Sequence, residues 1–97
     1  MAQRVIWSPS AERDLHKILE YWINRNKSIT YSKKLLARFI GYSKLLKLKN
    51  NIGKRTDLPN VRQAIVGDYS IFYEISKTHI NILRIWDNRQ NPISFKL

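Results

Sequence analysis

Asn60–Pro92 reads NVRQAIVGDYSIFYEISKTHINILRIWDNRQNP. It holds three apolar-rich runs, Val61–Val66, Tyr69–Ser76 and Ile80–Trp86, parted by Gly67-Asp68 and by Lys77-Thr78-His79. Short polar breaks between β-branched and aromatic runs are hairpin punctuation, so this stretch is expected to fold as a three-stranded meander. In the middle run Tyr69, Ile71, Tyr73 and Ile75 alternate with Ser70, Phe72, Glu74 and Ser76, giving two unlike faces. The third run is apolar on both sides, with Ile80, Ile82 and Trp86 against Leu83 and Ile85, as in a strand that is central or covered on both faces. It leads into a polar cluster, Asp87-Asn88-Arg89-Gln90-Asn91-Pro92. That cluster, at the exit of the best-buried strand, is the first place to look for function.

Upstream, Arg4–Trp7 alternates as a short strand. Ser8-Pro9 is a helix start, with Ser8 able to cap free amides and Pro9 suited to the first helical position. Ala11, Leu15, Ile18, Leu19, Trp22 and Ile23 then recur at helical spacing, predicting a helix from about Pro9 to Asn26. A turn follows, with Ser28 or Thr30 as the next cap. A second helix is predicted over about Thr30 to Lys49, with a stripe of Tyr31, Leu35, Phe39, Tyr42 and Leu46 widened by Leu36, Ile40 and Leu45. Gly41 interrupts that pattern, and close packing of the first helix against it would explain it. Gly53 or Asn51 is the expected left-handed cap, Lys54–Asn60 a polar loop, and Ile93–Leu97 a last strand or an ordered extension. The order β-α-α-β-β-β predicts an α+β fold, an N-terminal helical hairpin packed on one face of a small antiparallel sheet. The first strand would sit at the edge or beside the last strand, leaving the other sheet face partly open and concave.

A chain of 97 residues suits one domain, 1–97, burying about 60–65% of its unfolded surface. Cysteine is absent, which excludes a disulfide scaffold and a thiolate metal site. No apolar run is long enough to span a membrane, and MAQRVIWSPS lacks the apolar core of a signal peptide, so the cytoplasm is the expected compartment. Charge is the strong compositional signal: 18 Lys and Arg against 7 Asp and Glu give +11. It is also uneven. Between Tyr21 and Thr56 stand Arg25, Lys27, Lys33, Lys34, Arg38, Lys44, Lys47, Lys49, Lys54 and Arg55, with no acidic residue among them. Such a surface repels itself and attracts a polyanion, whether nucleic acid, a ribosome or an acidic protein.

In order and spacing, the chain resembles the RelE/ParE superfamily of bacterial toxins from type II toxin–antitoxin modules. The resemblance covers nearly the whole chain. It rests on IWSPSAERDLHKILEYW, on Ile52-Gly53-Lys54, on Val61-Arg62, on Tyr69-Ser70-Ile71-Phe72-Tyr73, and on the exit Ile85–Pro92. It implies a growth-inhibiting toxin held by a cognate antitoxin in a hetero-oligomer, with DNA gyrase (ParE-like) or the ribosome and its mRNA (RelE-like) as target, and with no cofactor. The RelE-like branch carries an Arg in the middle strand where this chain has Ser70, and a neutral hydroxyl cannot supply that charge. Phe95, near the end, cannot move a proton. The ParE-like mode, binding a protein target without chemistry, is therefore the expectation, with metal-independent mRNA cleavage as the rival. A bare nucleic-acid-binding module is a further alternative.

If the nuclease reading holds, Arg62, Arg89 and Lys54 would be the catalytic cations, stabilising charge that develops at a phosphate. Under either reading Lys54, Arg55, Arg62, Arg84 and Arg89 are the candidates for binding target or nucleic acid. Arg62 and Arg89 are expected near each other on the open surface, unless ion pairs with Asp57, Asp68 or Asp87 hold them. Trp22, Lys33, Lys34 and Arg38 are the candidate antitoxin contacts. Tyr69 and Tyr73 are expected to pack in the core, and His16 and His79 to be surface residues. With two distant histidines and no cysteine, no metal site is expected.

Overall fold

The computed structural model describes residues 4–89. In chain order these form β1 (Arg4–Trp7), α1 (Pro9–Asn26), α2 (Thr30–Leu48), β2 (Lys54–Arg55), β3 (Val61–Val66), β4 (Tyr69–Ile75) and β5 (His79–Asp87). The strands make one sheet in the order β1-β5-β4-β3-β2. β3, β4 and β5 are the expected antiparallel meander. β1 lies beside the last strand and runs parallel to it, with Val5 opposite Ile80 and Trp7 opposite Ile82, so the sheet is mixed. The helices and meander between them give the chain the length a parallel return needs. Lys54 and Arg55, expected in a loop, pair with Gln63 and Arg62 as a two-residue edge strand. Two cations on so short an edge discourage a further strand from adding there. The tail Ile93–Leu97, with Phe95, lies outside the described residues.

α1 starts as its sequence dictates. The Ser8 hydroxyl accepts from the Ala11 N–H at 3.0 Å, Pro9 follows, and Glu12 meets the positive helix end. It stops at Lys27, which takes the left-handed conformation (φ 53°) that a glycine would adopt without strain. α2 has no side-chain cap. Ser28 instead accepts from the Thr30 N–H, and the residue before the helix is Ile29. After α2, neither Asn51 nor Gly53 is left-handed; the positive φ in the next loop falls on Asn60. The two helices meet through Ser32, whose buried hydroxyl donates to the Leu19 carbonyl at 2.7 Å. Gly41 has nothing within 4 Å of a Cβ built on it, so close packing against α1 does not explain it.

The core lies between hairpin and sheet. Leu35, Phe39 and Leu46 of α2 and Ala11 of α1 cover Ala64, Val66, Tyr69, Ile71, Tyr73, Ile80, Ile82 and Ile85. Ile40 and Leu45, counted in the α2 stripe by spacing, are 45% and 40% exposed. Tyr73 is fully buried, and its hydroxyl accepts from the Gly53 N–H and donates to the Asn50 carbonyl, clamping the chain that leaves α2. The face away from the hairpin is not open where it was expected to be. Ser70 there is 0% and Phe72 9% exposed.

β5 carries an irregularity that alternation does not reveal. Phe72 pairs with Arg84 and Tyr73 with Ile82, leaving Leu83 as an extra residue. Ile85 therefore returns to the core face beside Ile82, not to the opposite face, and Trp86 pairs with Ser70. α1 holds the bulge in place. Ser8 N–H donates to the Ile82 carbonyl and Ser8 Oγ to the Leu83 carbonyl, both at 2.9 Å. The Asp14 carboxylate accepts from the Ile85 N–H at 3.0 Å and from Arg84 Nε at 2.7 Å and Nη2 at 3.1 Å.

Two substitutions test this packing. Asp14→Ala strands the Ile85 N–H and one face of the Arg84 guanidinium, and should cost about 2 kcal/mol in urea denaturation. The glycines should respond with opposite signs. Gly41→Ala should stabilise by about 1 kcal/mol. Gly53→Ala should destabilise by ~1–3 kcal/mol, because its Cβ would meet the Tyr73 hydroxyl at 2.7 Å and the Gln63 carbonyl at 2.9 Å.

Candidate functional site

The exit of β5 gathers the aromatic and cationic side chains that the sequence singled out. Trp22 of α1 donates its indole N–H to the Tyr69 hydroxyl at 2.7 Å and packs edge-on against Tyr31 of α2. Two guanidiniums lie over its ring, Arg25 at 6.0 Å and Arg89 at 5.4 Å from the centroid. Arg89 is fixed by Asp87, whose carboxylate accepts from Arg89 Nε at 3.0 Å, from Nη2 at 2.7 Å and from its backbone N–H at 2.9 Å. Hydrogen bonding from Arg89 holds the Asp87 carboxyl below its usual range, against a smaller opposing effect of burial. Beside this stack opens a cleft of about 550 Å³, lined by Lys17, Ile18, Tyr21, Tyr69, Asp87 and Arg89. Lys17 and Tyr21 escaped the sequence reading because they lie on the exposed flank of α1. Their signal was positional, one residue before Ile18 and one before Trp22.

The remaining candidates do not converge on that cleft. Arg62 and Arg89 are not neighbours. β3 and β5 both flank β4 and so run the same way, which puts the start of β3 and the end of β5 at opposite ends of the sheet. By register the two are about 20 Å apart along the strands, at ~3.3 Å per residue. Arg62 donates to the Gly53 carbonyl at 2.7 Å and the Asn51 carbonyl at 3.2 Å, so it secures the same loop as Tyr73. Arg84 is bound to Asp14. Lys54 and Arg55 are exposed, but on opposite faces: Arg55 pairs with Arg62 and Lys54 with Gln63. Arg55 and Arg62 share a cleft of about 400 Å³ with Asp57, Leu58 and Ile75.

Lys33, Lys34 and Arg38 are exposed on α2. At 100° per residue, Lys34 and Arg38 fall on the flank that Tyr31 presents to Trp22, whereas Lys33 faces the other side. Arg38 lies over the β3–β4 turn, its guanidinium 3.3 Å from the Cβ position of Gly67. Ser70 is closed on both sides, its hydroxyl accepting from Gln63 Nε2 at 2.8 Å and donating to Asn88 Oδ1 at 2.7 Å. Burial raises the Tyr73 hydroxyl above its ordinary value, and both of its hydrogen bonds go to backbone. Tyr73 is a core residue.

The chain has recognisable kin. A family model described as the ParE toxin of the type II toxin–antitoxin system parDE matches residues 5–92. No curated protein matches it in sequence. Among solved structures, a chain of the chromosomal ParDE system of P. aeruginosa superposes with a TM-score of 0.76 at 20% identity, over 89% of this chain and 96% of that one. A chain of the RelBE2 toxin–antitoxin complex of Mycobacterium tuberculosis gives 0.68 at 25% identity, over 90% and 99%. A chain of the E. coli DinJ–YafQ complex gives 0.50 at 11% identity, over 92% and 96%. The ParDE and DinJ–YafQ likenesses speak to the fold alone.

The Arg89–Asp87 pair makes a pH prediction. A carboxyl with a depressed folded pKa stabilises above its unfolded value, and that contribution is lost as pH falls through the folded one. In an NMR titration Asp87 should show its midpoint below 3.8, and Arg89→Ala should return it upward. Trp22 emission should change in the same acid window as Arg89 leaves the ring.

Proposed function

The chain belongs to the ParE toxin family of type II toxin–antitoxin systems, and on that premise we propose that it arrests growth by binding DNA gyrase, without chemistry of its own, until a cognate antitoxin covers it. The observation that carries this reading is Ser70. In the place where a strand arginine would serve RNA cleavage, the chain has a fully buried hydroxyl bonded to Gln63 and Asn88. Arg62, Arg84 and Arg89, the other cations a phosphate would need, are bound to the chain's own oxygen atoms. Groups already engaged in this way position structure more readily than they stabilise a transition state.

For the antitoxin, the flank carrying Trp22, Lys34 and Arg38 is the favoured contact. It offers a half-buried aromatic anchor, a cleft beside it, and cations for a flexible acidic segment that folds on binding. Lys33, on the other side of α2, would contribute only to a partner that wraps the helix.

RelE-like mRNA cleavage is the second reading, favoured by the cleft that the exposed Arg55 borders with Arg62, and by the exposed Lys54 next to Arg55 on the same edge strand. One experiment separates the two. The chain is induced alone in bacteria, with mRNA 5′ ends mapped and gyrase-dependent DNA breaks measured in parallel. The expected result is growth arrest with gyrase-linked breaks and intact mRNA. New in-frame mRNA ends, abolished by Arg89→Ala or Arg62→Ala, would overturn the gyrase reading.

A further inference from the structure

Of the ten cations from Arg25 to Arg55, the gyrase and antitoxin reading above uses only Lys34 and Arg38, with Lys33 reserved for a partner that wraps the helix. We propose that they form a binding surface for the phosphodiester backbone of a polynucleotide, read by charge and not by sequence, distinct from the toxin's action on its target. All ten are exposed. Among the described residues none of them forms an ion pair: the two salt bridges there are Arg84–Asp14 and Arg89–Asp87. The 36 residues from Tyr21 to Thr56 contain no carboxylate that could neutralise them.

Their distribution favours a polynucleotide over an acidic peptide. On α2, Lys33, Lys34, Arg38, Lys44 and Lys47 extend over about 21 Å of axis at 1.5 Å per residue, and over about 180° of circumference at 100° per residue. A docked helix or strand contacts one narrow stripe of such a cylinder. A phosphate backbone presents charge across a wide, curved front, and a protein that neutralises it releases condensed counterions. Arg25 and Lys27 extend the surface past the hairpin turn, and beyond the far end of α2 it continues through Lys49 to the edge strand β2, with Arg55 and Lys54 on its two faces. Tyr31 and Tyr42, both half-buried on the flank of Lys34 and Arg38, leave aromatic edges among the cations. The apolar Ile40 and Leu48, 45% and 77% exposed on the same helix, are what an acidic amphipathic protein would use instead. That competing occupant is an outcome of the test.

The purified full chain is titrated, by fluorescence anisotropy over a salt series, into labelled duplex DNA of unrelated sequence, single-stranded RNA, and poly-glutamate. The same is done with Lys33→Gln/Lys34→Gln/Arg38→Gln, with Lys44→Gln/Lys47→Gln/Lys49→Gln, and with Lys77→Gln, in the β4–β5 turn and outside the ten, as a control. Circular dichroism verifies that each is folded. The expected result is polynucleotide binding whose log K falls linearly with log salt. Each triple variant should lower that slope on duplex by up to about 2.7, at ~0.9 per phosphate contact. Lys77→Gln should leave it unchanged. Tighter binding of the duplex or of the single strand names the source of the backbone. Preferential binding of poly-glutamate, no binding to either polynucleotide, or slopes indifferent to both triple variants would overturn the proposal. None of these readouts depends on gyrase, so the two proposals fail separately.

Discussion

The fold turns on how α1 seals the edge of β5. β1 pairs with β5 only as far as Ile82, and β5 continues to Asp87. A strand that outruns its neighbour leaves backbone groups without partners, and buried backbone groups need them. The first turns of α1 supply them, through Ser8 at Ile82 and Leu83 and through Asp14 at Ile85. Because Asp14 also grips Arg84, the bulge, the register change and the tilt of α1 on the sheet are set together. Everything at the β5 exit, the Trp22 stack included, inherits its position from that junction.

Charge is divided in a corresponding way. The cations on the sheet and its exit mostly act inward: Arg62 holds a loop, Arg84 a helix, and Arg89 an aromatic ring. The cations on α2 are exposed, and among the described residues none of them forms an ion pair. A toxin that acts by binding would use that unneutralised surface. A nuclease would have to release Arg62 or Arg89 from contacts at 2.7 Å before either could serve a phosphate.

Much of this was legible in the residues. Ser8-Pro9 announced the start of α1, and the alternation of Tyr69, Ile71 and Tyr73 identified the core face of β4. The element order β-α-α-β-β-β supplied the layer order. Other features depended on distant partners that local patterns do not encode. The Leu83 bulge requires Asp14, some seventy positions away in sequence. Gly41 looked like a helix contact, but Ser32 makes that contact through a hydroxyl bond, and a serine gives no such signal. The separation of Arg62 from Arg89 followed from strand direction alone. It needed only the observation that two neighbours of a shared antiparallel strand run the same way. The Trp22 cleft was half visible, since Arg89 and Trp22 stood out and Lys17 and Tyr21 did not.

The β1–β5 pairing also dictates an order of assembly. Ser8 and Leu83 lie 75 positions apart, so closing the sheet there is the most entropically demanding step in the described chain. The helical hairpin and the β3–β4 turn involve neighbours in sequence and can form early, whereas β1 must wait for the last strand to exist. During synthesis the N-terminal third therefore leaves the ribosome with its docking strand still unmade. A chain interrupted before β5 would lack the junction that orients α1, the Tyr69–Asp87–Arg89 corner and the cleft beside Trp22. The cleft beside Trp22 therefore exists only in a chain that has been translated through β5.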